Sequence, residues 1–77
     1  MITQIKIREI IKEADSIGNL KKDFNNDSSF KLLGLAVQDI NYIYLTIMDK
    51  YNVDFPENTD NISTVNNIIK YVNGKLH

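Results

Sequence analysis

The sequence has no cysteine and no tryptophan, and only one proline and three glycines among its 77 residues. Without cysteine the chain can form neither a disulfide nor a cysteine-ligated zinc site, a composition that suits a reducing compartment. With one histidine, His77, no histidine-based catalytic pair or metal cluster can be drawn. Stability must therefore come from apolar packing, which 43% apolar residues make feasible.

The sequence also has no large excess of positive or negative charge and no long apolar run. A formal net charge of −1 gives no support to nucleic-acid binding. The apolar runs are too short to span a bilayer, and charges interrupt MITQIKIREIIKEA in a way that a signal peptide does not allow. We expect one domain over residues 1–77, cytoplasmic, with no nucleic-acid and no membrane partner.

Three stretches repeat apolar residues at the i, i+3, i+4, i+7 spacing that is typical of amphipathic helices. The first contains Ile7, Ile10, Ile11 and Ala14. The second contains Ile40, Ile43, Tyr44, Ile47 and Tyr51. The third contains Val65, Ile68, Ile69, Val72 and Leu76. Thr3 is the candidate N-cap of the first helix and Ser63 or Thr64 that of the last, while Gly18 and Asn73-Gly74 are the candidate stops.

The connections between these helices also carry apolar residues. About twenty residues separate the first two helices, and a connection of that length needs side chains to hold it on the bundle. The candidates are Leu20, Phe24, Phe30, Leu33 and Leu35. In the second connection Phe55 is an apolar anchor, Pro56 prevents the second helix from continuing, and Glu57 to Ile62 could form one short helical turn. This organisation predicts an all-α fold of three main helices and a short fourth one.

Three segments, in this order and spacing, resemble the acyl carrier protein family, which includes peptidyl carrier domains. They are Phe30-Lys31-Leu32-Leu33-Gly34-Leu35, the stretch Asp49-Lys50-Tyr51-Asn52-Val53-Asp54-Phe55-Pro56, and Ile62-Ser63-Thr64-Val65. The resemblance covers nearly the whole chain and implies an acyl-carrier-like four-helix bundle. It also implies a serine at the start of the second helix that carries 4′-phosphopantetheine.

The residue at that attachment position is Val37, and Ala36 stands where the family has an aspartate. Valine has no oxygen and can form no phosphoester. We therefore expect no cofactor and no metal. In the family the exposed face of this helix docks onto partner enzymes through glutamates, whereas this helix carries only Asp39, Asp49 and Lys50 as charged residues.

The residues predicted to face away from the core define the outer face of the second helix. They are Val37, Gln38, Asn41, Tyr42, Leu45 and Met48. One interpretation is that Leu45 and Met48 flank the core and that Tyr42 is an ordinary surface tyrosine. The other is a docking face built on apolar contact.

Other groups suggest chemistry less strongly. Asp15-Ser16-Ile17 resembles the family's attachment motif, but its place after the first helix favours helix termination. Ser28 and Ser29 are interpreted as turn residues. Asp54, Glu57 and Asp60 favour a solvated acidic turn over a weak cation site.

These observations favour a non-catalytic interaction module in a bacterial peptide maturation or secondary-metabolite pathway. Its partner would be a biosynthetic or peptide-modifying enzyme bound through the second helix. The alternative is a functional acyl or peptidyl carrier with a non-standard attachment residue. An enzyme is disfavoured because no nucleophile–base pair stands out.

Overall fold

The computed structural model describes residues 2–18, 20 and 23–76, and within them the chain is all-helical, with no strand. It contains the helices α1 (Gln4–Ala14), α2 (Val37–Tyr51) and α3 (Val65–Lys75), and the 3₁₀ turns Phe30–Leu33 and Asp60–Ile62. The second 3₁₀ turn occupies the segment where a short fourth helix was predicted. His77 lies outside the described residues. None of the described helices is long and apolar enough to cross a membrane.

The predicted N-caps are confirmed for the first and last helices. The Thr3 hydroxyl accepts a hydrogen bond from the Lys6 amide at 3.3 Å, and the Thr64 hydroxyl accepts one from the Asn67 amide at 3.0 Å. Each bond satisfies one of the amides that a helix N-terminus leaves without an intrahelical partner.

The predicted end of the last helix is wrong. α3 continues through Gly74 to Lys75, and the side chain of Asn73 bonds to the backbone of Ile2. The Ile2 amide donates to Asn73 Oδ1 at 3.0 Å, and Asn73 Nδ2 donates to the Ile2 carbonyl at 3.3 Å. A tertiary contact thus uses the side chain that was expected to end the helix.

The core lies where α1 packs against both α2 and α3. All four apolar residues predicted to face the core from α1 are buried. The same is true of Ile43, Tyr44 and Ile47 of α2 and of Val65, Ile68 and Val72 of α3. Three further predicted core residues are less enclosed: Ile40 and Tyr51, the first and last apolar residues of the second set, and Ile69 in the middle of the third are half-buried. Leu76 was predicted to face inward but is 42% exposed, because it lies just past the end of α3.

The long first connection is held on the bundle as predicted. Of its five predicted anchors four are buried, Phe24, Phe30, Leu33 and Leu35, and Leu20 packs against the core from its edge. Arg8 of α1 adds a polar tie, since its guanidinium donates to the Phe24 carbonyl at 2.7 Å and to Asn26 Oδ1 at 2.6 Å. The same guanidinium lies 3.8 Å from the centroid of the Phe24 ring.

The second connection leaves α2 before the proline is reached. Asn52, with φ of 53°, adopts the left-handed conformation that ends the helix. Val53 is then buried, and the Phe55 ring packs between Tyr44 and Tyr71, with centroid distances of 5.1 and 5.2 Å. Phe55 is therefore the apolar anchor that the sequence predicted.

Candidate functional site

The N-terminus of α2 is built without a side-chain cap. Ala36 occupies the N-cap position, where its side chain has no oxygen to offer the first-turn amides, and Val37 is the first helical residue. The Val37 side chain is 72% exposed. The position at which the resemblance expects an attachment serine thus presents an aliphatic side chain to solvent.

Asp39 compensates for part of the missing cap. Its carboxylate is 3% exposed and accepts from the Ser16 hydroxyl at 2.7 Å, the Ser16 amide at 3.2 Å and the Ala36 amide at 3.4 Å. The bond from Ala36 is the carboxylate half of a capping box, and the negative charge lies at the positive end of the helix dipole. The hydrogen bond from the Ser16 hydroxyl lowers the pKa of Asp39; burial opposes this shift, and the backbone amides of Ser16 and Ala36 reinforce it.

The position of Ser16 differs from what its place in the sequence suggested. It follows the C-terminus of α1, yet its hydroxyl bonds to a residue in the first turn of α2, and the side chain stays exposed. Its neighbour Asp15 is the C-cap of α1, in agreement with helix termination, and its carboxylate accepts from the amides of Gly18 at 3.0 Å and Leu20 at 3.2 Å in the segment that follows. A serine hydroxyl therefore does lie beside the start of α2, contributed by another segment.

The outer face of α2 exposes large apolar side chains. Leu45 is 62% exposed and Tyr42 46%, with Gln38 and Asn41 exposed between them and Met48 half-buried. Asp49 and Lys50 are exposed as well, whereas the third charged residue of the helix, Asp39, is buried. Leu45 and Met48 were the two candidates for residues that flank the core. Met48 fits that interpretation because it is half-buried, whereas Leu45 does not.

The sequence did not reveal two further features of this region. Leu32, in the 3₁₀ turn before α2, is 81% exposed, whereas its neighbour Leu33 is buried. Asp39 was counted among surface charges although it is enclosed. Its spacing of three residues from the N-cap is the capping-box signal that could have identified it.

A groove runs beside α2, between that helix and residues 55–63. It consists of two open cavities, of about 410 and 320 Å³, that share Tyr44 and Thr59 in their walls. Below them, the Tyr44 ring contacts Phe30 edge-on at 6.1 Å between centroids, and the Tyr44 hydroxyl donates to the Ile62 carbonyl at 2.6 Å. Burial raises the pKa of Tyr44; Thr59 opposes this shift through a hydrogen bond, and the Asp60 charge adds to it.

The remaining candidates do not form a compact site. Asp54, Glu57 and Asp60 are all exposed, and the described residues contain no group of three or more acidic, histidine or cysteine side chains that could hold a metal ion. Ser28 and Ser29 lie in turns: the Ser28 amide donates to the Asn25 carbonyl, and Ser29 precedes the first 3₁₀ turn without a side-chain cap bond.

Comparison of the chain with protein-family models, with curated proteins and with solved structures gave no match.

Proposed function

We propose that this chain is an acyl-carrier-like interaction module, related to the four-helix carrier bundles but without their phosphopantetheine arm. It binds a biosynthetic or peptide-modifying enzyme through the outer face of α2, in the cytoplasm of a bacterium, within a peptide maturation or secondary-metabolite pathway. The observation that carries the proposal is Val37: it is 72% exposed at the first position of α2 and has no oxygen to esterify.

The chemistry of the outer face supports binding by apolar contact. Leu45 and Tyr42 present hydrophobic surface that a partner would remove from water, at about 25 cal/mol for each Å² of apolar area. Aromatic and aliphatic anchors of this kind dominate binding energy when a ring of neighbouring contacts excludes water. Since only one acidic side chain of α2, Asp49, is exposed, contacts to this face should depend on salt less than those of a glutamate-rich carrier helix.

The position of Ser16 favours one specific alternative, a working carrier. Its exposed side chain places a hydroxyl 2.7 Å from the Asp39 carboxylate, beside the helix N-terminus that would accommodate a phosphodiester. In that alternative the Ser16 oxygen forms the bond to phosphorus, the bond from phosphorus to the nucleotide of coenzyme A breaks, and Asp39 accepts the serine proton. One observation opposes this alternative. The Ser16 hydroxyl already donates a hydrogen bond to the buried Asp39 carboxylate, and esterifying the Ser16 oxygen would remove that donor.

Intact-mass measurement separates the two functions. The protein is incubated with coenzyme A and a broad-specificity phosphopantetheinyl transferase, and we expect its mass to stay unchanged. Quantitative addition of phosphopantetheine would overturn the proposal. If Ser16→Ala then abolished the addition, the working carrier with Ser16 as attachment residue would replace it.

Restoring the missing chemistry provides a positive control for the same assay. Val37→Ser alone should be modified poorly, and the double variant Ala36→Asp with Val37→Ser should be modified better. Equal modification of the two variants would contradict the expectation that the aspartate which the family has at the position of Ala36 assists the transferase.

Binding through α2 is tested by site-specific cross-linking. A photoreactive amino acid replaces Tyr42 or Leu45 on the outer face, or Lys12 on the exposed side of α1 as the matched control. The purified enzymes encoded by neighbouring genes are the candidate partners. We expect cross-links from residues 42 and 45 and none from residue 12; equal cross-linking from all three would rule out a docking face on α2.

A further inference from the structure

The groove beside α2 has an apolar floor and a length suited to a helix. Ile40, Tyr44 and Met48 follow one another at i, i+4 and i+8 along its helical wall, and Phe55 and Pro56 complete its apolar lining at one end. The distance along α2 from Ile40 to Met48 is about 12 Å, and a partner helix lying beside it would cover that distance with about two turns. The two cavities therefore offer space for two apolar side chains one helical turn apart.

The walls of the groove also carry charge. Asp60 lines the first cavity and Glu57 the second, and both are exposed. Neither forms an ion pair with a described residue, since the ion pair found in the described ranges joins Lys6 and Glu9. Lys31, the cation of the lining, lies at the end marked by Ile40. The first cavity therefore carries one cation and one carboxylate, the second carries the carboxylate of Glu57, and the groove lining has one excess negative charge.

From these features we infer that the groove binds a partner's amphipathic helix that carries two apolar residues at i and i+4 with lysine or arginine beside them. This inference rests on the proposed function and names the chemistry of its partner. A helix fits better than an extended peptide because it satisfies its own backbone hydrogen bonds. An extended peptide that binds by strand addition would need a sheet edge, and the described residues contain no strand.

Fluorescence anisotropy with designed peptides tests the inference. The probe is a fluorescein-labelled alanine-based helix of about 14 residues, a length at which isolated helices begin to form. It carries two leucines at i and i+4 flanked by lysines. One control peptide replaces each lysine with glutamate, and a second moves one leucine to the opposite face. We expect saturable binding of the lysine peptide, weakened by salt, and about tenfold weaker binding of each control.

Charge reversal on the protein provides the reciprocal test. Glu57→Lys with Asp60→Lys should reverse the preference between the lysine and glutamate peptides, because the exposed carboxylates are replaced by cations. Glu13→Lys, an exposed residue of α1 that lines neither cavity, is the matched control and should leave the preference unchanged. Circular dichroism checks that both variants keep the helical content of the parent.

The outcomes distinguish this inference from the proposed function. Equal binding of the lysine and glutamate peptides, absence of saturable binding, or an unchanged preference in the double variant would overturn the inference alone. Acquisition of phosphopantetheine in the mass assay would overturn the proposed function whatever the peptides show.

Discussion

The two faces of α2 contain similar side chains in different surroundings. On the inner face Ile43 and Ile47 are fully buried, whereas on the outer face Val37 and Leu45 are 72% and 62% exposed. Both faces also carry a tyrosine: Tyr44 is buried with its hydroxyl bonded, and Tyr42 is 46% exposed. Apolar character alone therefore does not separate the face that stabilises the fold from the face that is available to a partner.

This contrast shows that α2 carries a large apolar surface on both of its faces. A helix that is apolar on nearly all sides is usually buried or bound to a partner. Within the part of the chain that the structure describes, neighbouring elements bury Ile43 and Ile47 on the inner face and leave most of the outer face exposed. The comparison implies that substitutions on the inner face change stability, whereas substitutions on the outer face change binding.

The largest effect is expected at the centre of the inner face. Ile47→Ala removes buried methyl and methylene groups and leaves a cavity, at a cost of about 2–5 kcal/mol in the free energy of unfolding. A loss of that size approaches the whole stability of a small domain. Urea unfolding followed by circular dichroism measures it. A loss below that of Leu45→Ala, on the opposite face, would contradict the burial of Ile47.

Asp39→Asn should have the next largest effect, because three hydrogen bonds to the carboxylate are weakened or lost. The folded-state pKa of Asp39 lies below the ordinary value of 3.8, so its stabilisation is present above that pH and is lost as pH falls through the folded-state value. The difference in unfolding free energy between parent and variant should therefore shrink in acid. Ser16→Ala removes the hydroxyl that contributes most to the lowered pKa of Asp39, so its stability should depend on acid pH less than that of the parent. A difference between parent and Asp39→Asn that is constant with pH would contradict this account.

A smaller effect is expected when the inner-face tyrosine loses its hydroxyl. Tyr44→Phe leaves the Ile62 carbonyl without its donor and should cost about 1 kcal/mol of unfolding free energy. Since burial raises the pKa of Tyr44 above 10.0, the parent should lose stability as pH rises through the folded-state value, and the variant should lose less. Denaturation at neutral and alkaline pH tests this, and identical alkaline losses would contradict it.

The smallest change in stability is expected on the outer face. Tyr42→Ser and Leu45→Ser should each alter the free energy of unfolding by about 0.5 kcal/mol or less, because solvent already contacts both side chains. Both substitutions should nevertheless weaken binding to the partner. Thermal melts and binding measurements on the same samples would show this; a large drop in melting temperature would place these residues in the core.

Much of the fold could be predicted from local patterns. The period of the apolar residues indicated all three helices, Thr3 and Thr64 satisfied amides of their own helices, and Phe24 and Phe30 were recognisable as anchors of a long connection. The end of α3 could not be predicted in this way. Asn73 bonds to Ile2 at the other end of the chain, and such a partner is not apparent from local sequence.

The properties of the candidate site can likewise be separated into those that the local sequence determines and those that require tertiary contacts. The sequence by itself determined that the side chain of residue 37 has no oxygen, that α2 is apolar on more than one side, and that it carries few charges, since these are properties of residue types and spacing. Only the tertiary structure decided which apolar residues stay exposed, that Asp39 is enclosed and bonded to Ser16, and that Tyr44 and Thr59 join two cavities into a groove. The physical reason is that burial and hydrogen bonding depend on contacts between segments distant along the chain.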